Sequence, residues 1–260
     1  MKSLKAMLNL SAFPAYFKSA DAFATGRPGY PAEANDWLIK DLRLKHHSVV
    51  LDLGAGTGKF TPRLLDIGAH VIAVEPDQTL RERFHARYPE IQLLDGTAED
   101  IPLKSGSVDA IVCAHSFHWL ANAQAMAEIH RVLKPGGRLG MIWNLRDTSV
   151  DWVAQVAEVV NSVAADSPRY FSGQWRKVFP YNGFSPLNER HFRHGHTGLP
   201  EDVIINRVKS ISFVANLPAA EQDRVFADVR EIIARHPDLA GQESVTVPYD
   251  TVAFHTVKIL

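Results

Sequence analysis

Between residues 48 and 145 the chain alternates short apolar runs with stretches whose apolar side chains recur every three or four positions. That alternation predicts β–α–β units and a parallel sheet, whose strands are buried on both faces and so read as continuous apolar runs. Val49-Val50-Leu51-Asp52-Leu53 predicts the first strand, ending in a glycine turn, and Val71-Ile72-Ala73-Val74 the second. Leu64 to Gly68 closes the helix between them, Leu80 to Tyr88 has helical spacing, and Ile91 to Leu94 predicts a third strand. Val108 to Ala114 and Arg138 to Trp143 supply the fourth and fifth. Ala121 to Leu133 is expected to be one helix, stopped at Lys134-Pro135-Gly136-Gly137 by proline and glycine.

The flanks are less regular. Residues 1–47 hold a rigid extended segment, Arg27-Pro28-Gly29-Tyr30-Pro31, and then a helix through Trp37 and Leu42. Residues 146–260 begin with a helix from Trp152 to Val163, followed by an aromatic, glycine-containing stretch from Tyr170 to Phe184. An alternating segment at His191 to His196, a helix from Ala219 to Arg235 and a strand-rich tail from Ser244 to Ile259 complete it. With no internal repeat, low-complexity tract or long linker, the C-terminal zone is expected to finish the sheet, giving a single domain over 1–260.

Composition narrows the class without naming its chemistry. The 260 residues are 46% apolar and 9% aromatic, enough for a core, which excludes disorder of the whole chain. Lys and Arg number 28 against 29 Asp and Glu, a net charge of −1, so no chain-wide basic field is available to hold a nucleic acid. The one cysteine, Cys113, excludes an internal disulfide, a zinc ribbon and CxxC redox chemistry. No apolar run approaches the roughly 18 residues that span a bilayer. Met1 to Leu8 only faintly imitates a signal peptide, since Asn9, Ser11 and Pro14 interrupt it. The expectation is a cytoplasmic enzyme or binder with neither a nucleic-acid nor a membrane partner. Its oligomeric state has no signature in the sequence.

The informative stretch is Asp52-Leu53-Gly54-Ala55-Gly56-Thr57-Gly58, a strand running through alternate glycines toward a helix. Glycine permits positive φ and close approach of a ligand, and a helix start offers free N–H groups to an anion. A P-loop does not fit: three residues, not four, separate Gly54 from Gly58-Lys59, and Phe60 replaces the hydroxyl that would meet magnesium. A dinucleotide fingerprint fits poorly because Lys59 occupies its last glycine position, although Glu75 ends the second strand at a distance suited to a ribose diol.

The acid-x-G-x-G-x-G turn after a first strand, with an acid closing the second, resembles the class I S-adenosylmethionine-dependent methyltransferases. Further matches follow in order: Gly96-Thr97-Ala98-Glu99-Asp100-Ile101-Pro102, Ser107-Val108-Asp109-Ala110-Ile111-Val112, His115-Ser116-Phe117-His118-Trp119, and Arg131-Val132-Leu133-Lys134-Pro135-Gly136-Gly137. Phe23 with Arg27-Pro28-Gly29-Tyr30-Pro31, the His118-Trp119 pair, and Trp143-Asn144-Leu145-Arg146-Asp147 are similar to a small-molecule subgroup related to trans-aconitate methyltransferase.

The resemblance implies a Rossmann-like α/β fold: a seven-stranded, mostly parallel sheet of order 3-2-1-4-5-7-6 with helices on both faces. It implies an N-terminal lid segment over 1–47, a cofactor core over 48–145, and a sheet-completing acceptor segment over 146–260. S-adenosylmethionine is the implied cofactor, with Gly54, Ala55 and Gly56 against its amino-acid end and Asp52 nearby. Glu75, followed by Pro76, would hold the ribose hydroxyls, and Thr97, Ala98 and Glu99 would border the adenine. Many relatives have Asp where Thr97 stands, so the adenine contact falls to the Ala98 N–H or to Glu99. Ala114 and His115 would meet the cofactor's amine. The rings of Phe117 and Trp119 would face the sulfonium or the substrate, with packing under the next helix the other reading for Trp119. His118 is a candidate base or a structural residue. Arg27 is a partner for the cofactor carboxylate or an acidic substrate, or else an exposed charge before a proline. Asn144 and Arg146 would line the acceptor pocket, and Tyr16, Phe17 and the Tyr170 to Phe184 stretch would close over it.

The implied reaction moves a methyl group to a small molecule, on a carboxylate or another oxygen, or on nitrogen or carbon. A non-catalytic binder of the same cofactor and an NAD-dependent oxidoreductase are the alternatives. His194 and His196 share a strand face, but no carboxylate cluster accompanies them, so no metal is expected. Arg81, Arg83 and Arg87 beside Glu82 read as a solvated helix face.

Overall fold

Strand β1 (Val49–Leu53) lies between β2 (His70–Val74) and β4 (Val108–Ala114), and both neighbours run parallel to it. In the computed structural model, which describes residues 26–165 and 167–259, successive side chains of these strands enter opposite cores. Leu51, Leu53, Ile72, Val74 and Ile111 enter one core, and Val50, Val71, Ala73, Ala110 and Val112 the other. With β3 (Gln92–Leu94), β5 (Leu133–Arg146), β6 (Asn188–Gly198) and β7 (Val245–Val257), the sheet has the order 3-2-1-4-5-7-6. β3 is parallel to β2 and β5 to β4. Lys258 meets Gly137, whereas Pro248 accepts from the Asp147 N–H, so β7 runs antiparallel to β5.

Helices connect the parallel strands. α1 (Ala34–Asp36) precedes β1, and the connecting helices are α2 (Thr61–Asp66), α3 (Gln78–Arg87), α4 (Phe117–Leu120) and α5 (Ala123–Val132). The helix expected from Ala121 to Leu133 is α5, which starts two residues later, at Ala123. Asn122 takes an extended conformation and its Oδ1 accepts from the Ala125 N–H at 2.9 Å, starting α5 afresh. The fifth strand also starts earlier than Arg138: Leu133 already pairs with Val108, and the register shifts before Arg138 meets Ala110. Lys134–Gly137 is therefore an irregularity within the strand, carried by Gly136 at φ +74°.

By its internal contacts the chain forms two units, which cut across the zones read from the sequence. Among the described residues, a core unit comprises Gly29–Leu145, Pro168–Phe192 and 251–259. Among the described residues, a second unit comprises 26–28, 146–165, 167 and 193–250. The second unit has its own apolar centre, built on α6 (Asp151–Ser162), α7 (Asn206–Lys209), α8 (Ser212–Ala215) and α9 (Ala219–Arg235). Trp152, Val153, Val156 and Val160 line one face of α6, at the spacing of a half-buried helix. Among the described residues no helix is long and apolar enough to cross a membrane.

The Tyr170 to Phe184 stretch, expected to close over the acceptor pocket, is anchored in the core at Trp175, while Phe171 is 67% exposed. Trp175 is 1% exposed and packs in the core unit against Trp143, Phe117 and Phe254. A stretch of aromatic side chains next to glycine reads as a loop by composition, but burying these rings is worth more than leaving them mobile.

Candidate functional site

The strand order reverses at β1, which puts the carboxyl ends of β1, β2 and β4 around one crevice, the usual ligand position in such sheets. The glycine turn closes β1. Gly54, Gly56 and Gly58 all have positive φ, at +69°, +59° and +77°. Their surroundings differ. A Cβ on Gly54 would meet Ser116 Cβ at 2.8 Å, and one on Gly58 would meet the Tyr88 ring at 2.5 Å, whereas Gly56 has nothing within 4 Å. Gly54 and Gly58 thus serve packing as well as conformation, and Gly56 is the one that leaves open space.

Four of the turn's N–H groups are engaged within the protein. Gly54 and Ala55 both donate to the Val74 carbonyl (2.9 and 3.2 Å), Gly56 to Glu75, and Gly58 to the Ala55 carbonyl. α2 starts only at Thr61, so helix and turn are offset. This loop is not shaped for a phosphate.

Glu75, 3% exposed, follows β2 and is held from two sides. Its Oε2 accepts from the Gly56 N–H at 2.9 Å and its Oε1 from the Asp77 N–H at 3.0 Å. Half-buried Pro76 between them has no N–H to give. Burial pushes the Glu75 carboxyl up to about 7 against the opposing pull of those two N–H groups. Asp52, 1% exposed, accepts from the Thr61 hydroxyl at 2.9 Å and is likewise pushed up by burial to about 7. Arg81, read from the sequence as part of a solvated face, instead donates to the Glu75 carbonyl (2.9 Å) and to Asp95 (3.0 Å). The signal for it was positional: it lies in the first turns of the helix that Asp77 caps.

Thr97 bridges Asp100 across a tight turn, and buried Ala98 packs in the core, 1% exposed. Glu99 accepts from the Asn122 side chain at 2.7 Å, which ties this turn to the cap of α5. After β4, half-buried Ala114 precedes His115, whose φ of +56° is unusual for a non-glycine residue. His115 Nε2 lies 3.0 Å from both the Asn144 carbonyl and the Asn144 N–H. Ser116, which sequence reasoning passed over, donates to the Leu53 carbonyl at 2.8 Å and presses on Gly54.

Three expectations change here. Phe117 is wholly buried, packed near Trp175 and Phe179, so its ring has no face left for a sulfonium. His118 Nδ1 accepts from the Trp143 indole N–H at 3.1 Å. An indole can only donate, so the neutral ring carries its proton on Nε2, and the nitrogen able to take a proton is the one already engaged. That arrangement suits a structural or donating histidine better than a base. Asn144, 6% exposed, donates to the Gly29 carbonyl (3.0 Å) and accepts from the Thr251 hydroxyl (2.6 Å), which leaves little surface for a second substrate. Trp119 is half-buried beside His118, the ring centroids 5.5 Å apart.

Arg27 and Arg146 belong to the second unit. Arg27 donates to the Ser210 carbonyl at 2.8 Å and the Ser210 hydroxyl at 3.2 Å. Tyr16, Phe17 and Phe23 lie outside the described residues. His194 stacks on Tyr249, the centroids 5.5 Å apart, and among the described residues no cluster of His, Cys, Asp or Glu could hold a metal ion.

The strand order and its parallel core define a Rossmann-like domain. A family described as "Methyltransferase domain" matches residues 51–141. A methyltransferase-like protein of Schizosaccharomyces pombe is 36% identical over 91% of this chain and 92% of its own. A Mycobacterium tuberculosis methyltransferase is 39% identical over 89% of this chain and 90% of its own. Among solved structures, one described as a type II methyltransferase from Anaeromyxobacter dehalogenans shares the fold at a TM-score of 0.63 with 23% identity, covering 90% of this chain and 98% of that one. The Haemonchus contortus phosphoethanolamine N-methyltransferase 2, solved with phosphomonomethylethanolamine and S-adenosylhomocysteine, does so at 0.58 with 14% identity, over 100% of this chain and 61% of that one. The chain belongs to the methyltransferase family.

Proposed function

We propose that the crevice above Gly56 and Glu75 holds S-adenosylmethionine and that the methyl group passes to a small molecule, on a carboxylate or another oxygen, in the cytoplasm. The observation that carries the reading is the pairing of an open glycine with a buried, doubly held carboxylate at the ends of adjacent strands. The residues present fit the cofactor. A carboxylate has roughly four lone-pair sites, so after two N–H bonds Glu75 retains acceptors for a vicinal diol. Four of the turn's N–H groups are engaged within the protein and no helix starts directly behind it, which suits a ligand without a phosphate.

S-adenosylmethionine supplies a methyl group on a positively charged sulfur, already activated for displacement. The chain's residues then have to align and dehydrate, and proximity alone can lower such barriers by roughly 7–11 kcal/mol. Gly54, Ala55 and Gly56 shape the amino-acid end, with Asp52 beneath and Ala114 and His115 at the amine. Glu75 and Pro76 border the ribose, and Thr97, Ala98 and Glu99 the adenine. A carboxylate acceptor arrives ionised and needs no base, which agrees with a His118 whose Nδ1 is occupied. The net charge of −1 gives no field for a nucleic-acid acceptor. Incubation with methyl-labelled cofactor and fractionated metabolite pools tests the proposal. A labelled small-molecule methyl ester or ether supports it, and label confined to nucleic acid or protein, or no label above background, overturns it.

A further inference from the structure

We propose that the second unit contains a binding site for a carboxylate-bearing small molecule, formed by Arg146 and Tyr249 beside Arg27. The inference stands apart from the methyl-transfer reading and holds whatever role the bound anion plays in turnover.

The register makes the pair. Asp147 donates to the Pro248 carbonyl at 3.0 Å, so Arg146 and Tyr249 stand directly opposite each other on adjacent antiparallel strands, their side chains on one face. The Tyr249 hydroxyl is buried and has no hydrogen-bond partner. Arg146 is half-buried, and among the described residues no hydrogen bond or ion pair holds its guanidinium. Burial holds it below the ordinary arginine range, and among the described residues the charged or titratable groups that act on it are Tyr249 and Arg27, neither a carboxylate.

A charge in such a place is costly unless it is paired. Arg27 raises the cost, because Ser210 fixes it with Nε and Nη2 on that residue's hydroxyl and carbonyl, and its own charge opposes that of Arg146. The Arg146 fork, which can only donate, and the unpartnered Tyr249 hydroxyl together offer one set of donors. Its complement is an anion that accepts two parallel N–H bonds from a planar fork and one O–H bond, which is the geometry of a carboxylate.

Titration calorimetry on the full chain with glutarate, and separately with inorganic phosphate, tests the assignment. Glutarate is expected to bind, Arg146→Met to weaken it roughly 10–100-fold, and Tyr249→Phe about 3–10-fold. The Arg146→Met unfolding midpoint separates a binding residue from a structural one. Relief of an unpaired charge is expected to raise it by roughly 2–4 °C, whereas an arginine that braces the fold would lower it. No glutarate binding by the unaltered protein, unchanged affinity in Arg146→Met, phosphate bound as tightly as glutarate, or a lowered midpoint overturns the proposal.

Discussion

The Gly56 N–H donates to Glu75 Oε2 at 2.9 Å, so the acid that follows β2 is fixed by the glycine turn that ends β1. Two sequence features 19 residues apart thereby become one element, and neither is positioned without the other. Glu75→Ala should remove the acceptor of both the Gly56 and Asp77 N–H groups together with the proposed ribose contact. S-adenosylhomocysteine affinity is expected to fall by about 1–3 kcal/mol. Unchanged affinity by calorimetry would remove Glu75 from the ribose role.

Burial raises the Glu75 carboxyl to about 7, and an ionised carboxylate is the stronger acceptor of hydroxyl donors. Cofactor affinity should therefore rise as pH increases from 6 to 8, and Glu75→Gln should flatten that dependence. The stability of the unliganded protein should move the other way. A carboxyl raised in the folded state stabilises fully below its unfolded pKa, and that contribution is lost as pH climbs to about 7. Urea midpoints at pH 5 and pH 8 should differ less in Asp52→Asn and Glu75→Gln than in the unaltered chain.

The alternate glycines should separate under substitution. Gly56→Ala places a methyl in open space at φ +59°, so it should weaken cofactor binding at least tenfold with a stability loss of about 1–2 kcal/mol. Gly58→Ala drives a methyl into the Tyr88 and Phe84 rings and should act first on stability. Thermal unfolding and titration of the two variants side by side check the split.

His118 is held by the Trp143 indole through the nitrogen a base would use. Loss of a general base costs typically 10²–10⁴-fold in turnover, so His118→Asn is expected to lose less than tenfold in kcat once the acceptor is known. A loss beyond a hundredfold would restore it as the base.

Trp175→Ala should cost about 3–5 kcal/mol of stability, the price of removing a buried indole from the core. A neutral denaturation midpoint would instead identify its stretch as a movable cover.

Much of this was legible in the sequence because the features are local. A buried parallel strand declares itself by an apolar run, and Asp52 to Gly58 and Glu75 mark the ends of two of them. The misreadings arise where a side chain finds its partner far along the chain. Phe117 and Trp175 are 58 positions apart, yet their packing turned an expected cation-facing ring into core and anchored an expected lid there. Trp143 decides the tautomer of His118 across 25 positions. Arg81 looked solvated because the Glu75 carbonyl that it reaches has no signature in a residue list. Arg146 and Tyr249 meet only through the antiparallel register of β5 and β7, which periodicity does not specify.

Calorimetric titration of the unaltered chain with S-adenosylhomocysteine and, separately, with NAD tests the central claim most directly. One equivalent of S-adenosylhomocysteine should bind, with no saturable heat from NAD. Tight NAD binding with no response to S-adenosylhomocysteine would contradict the account.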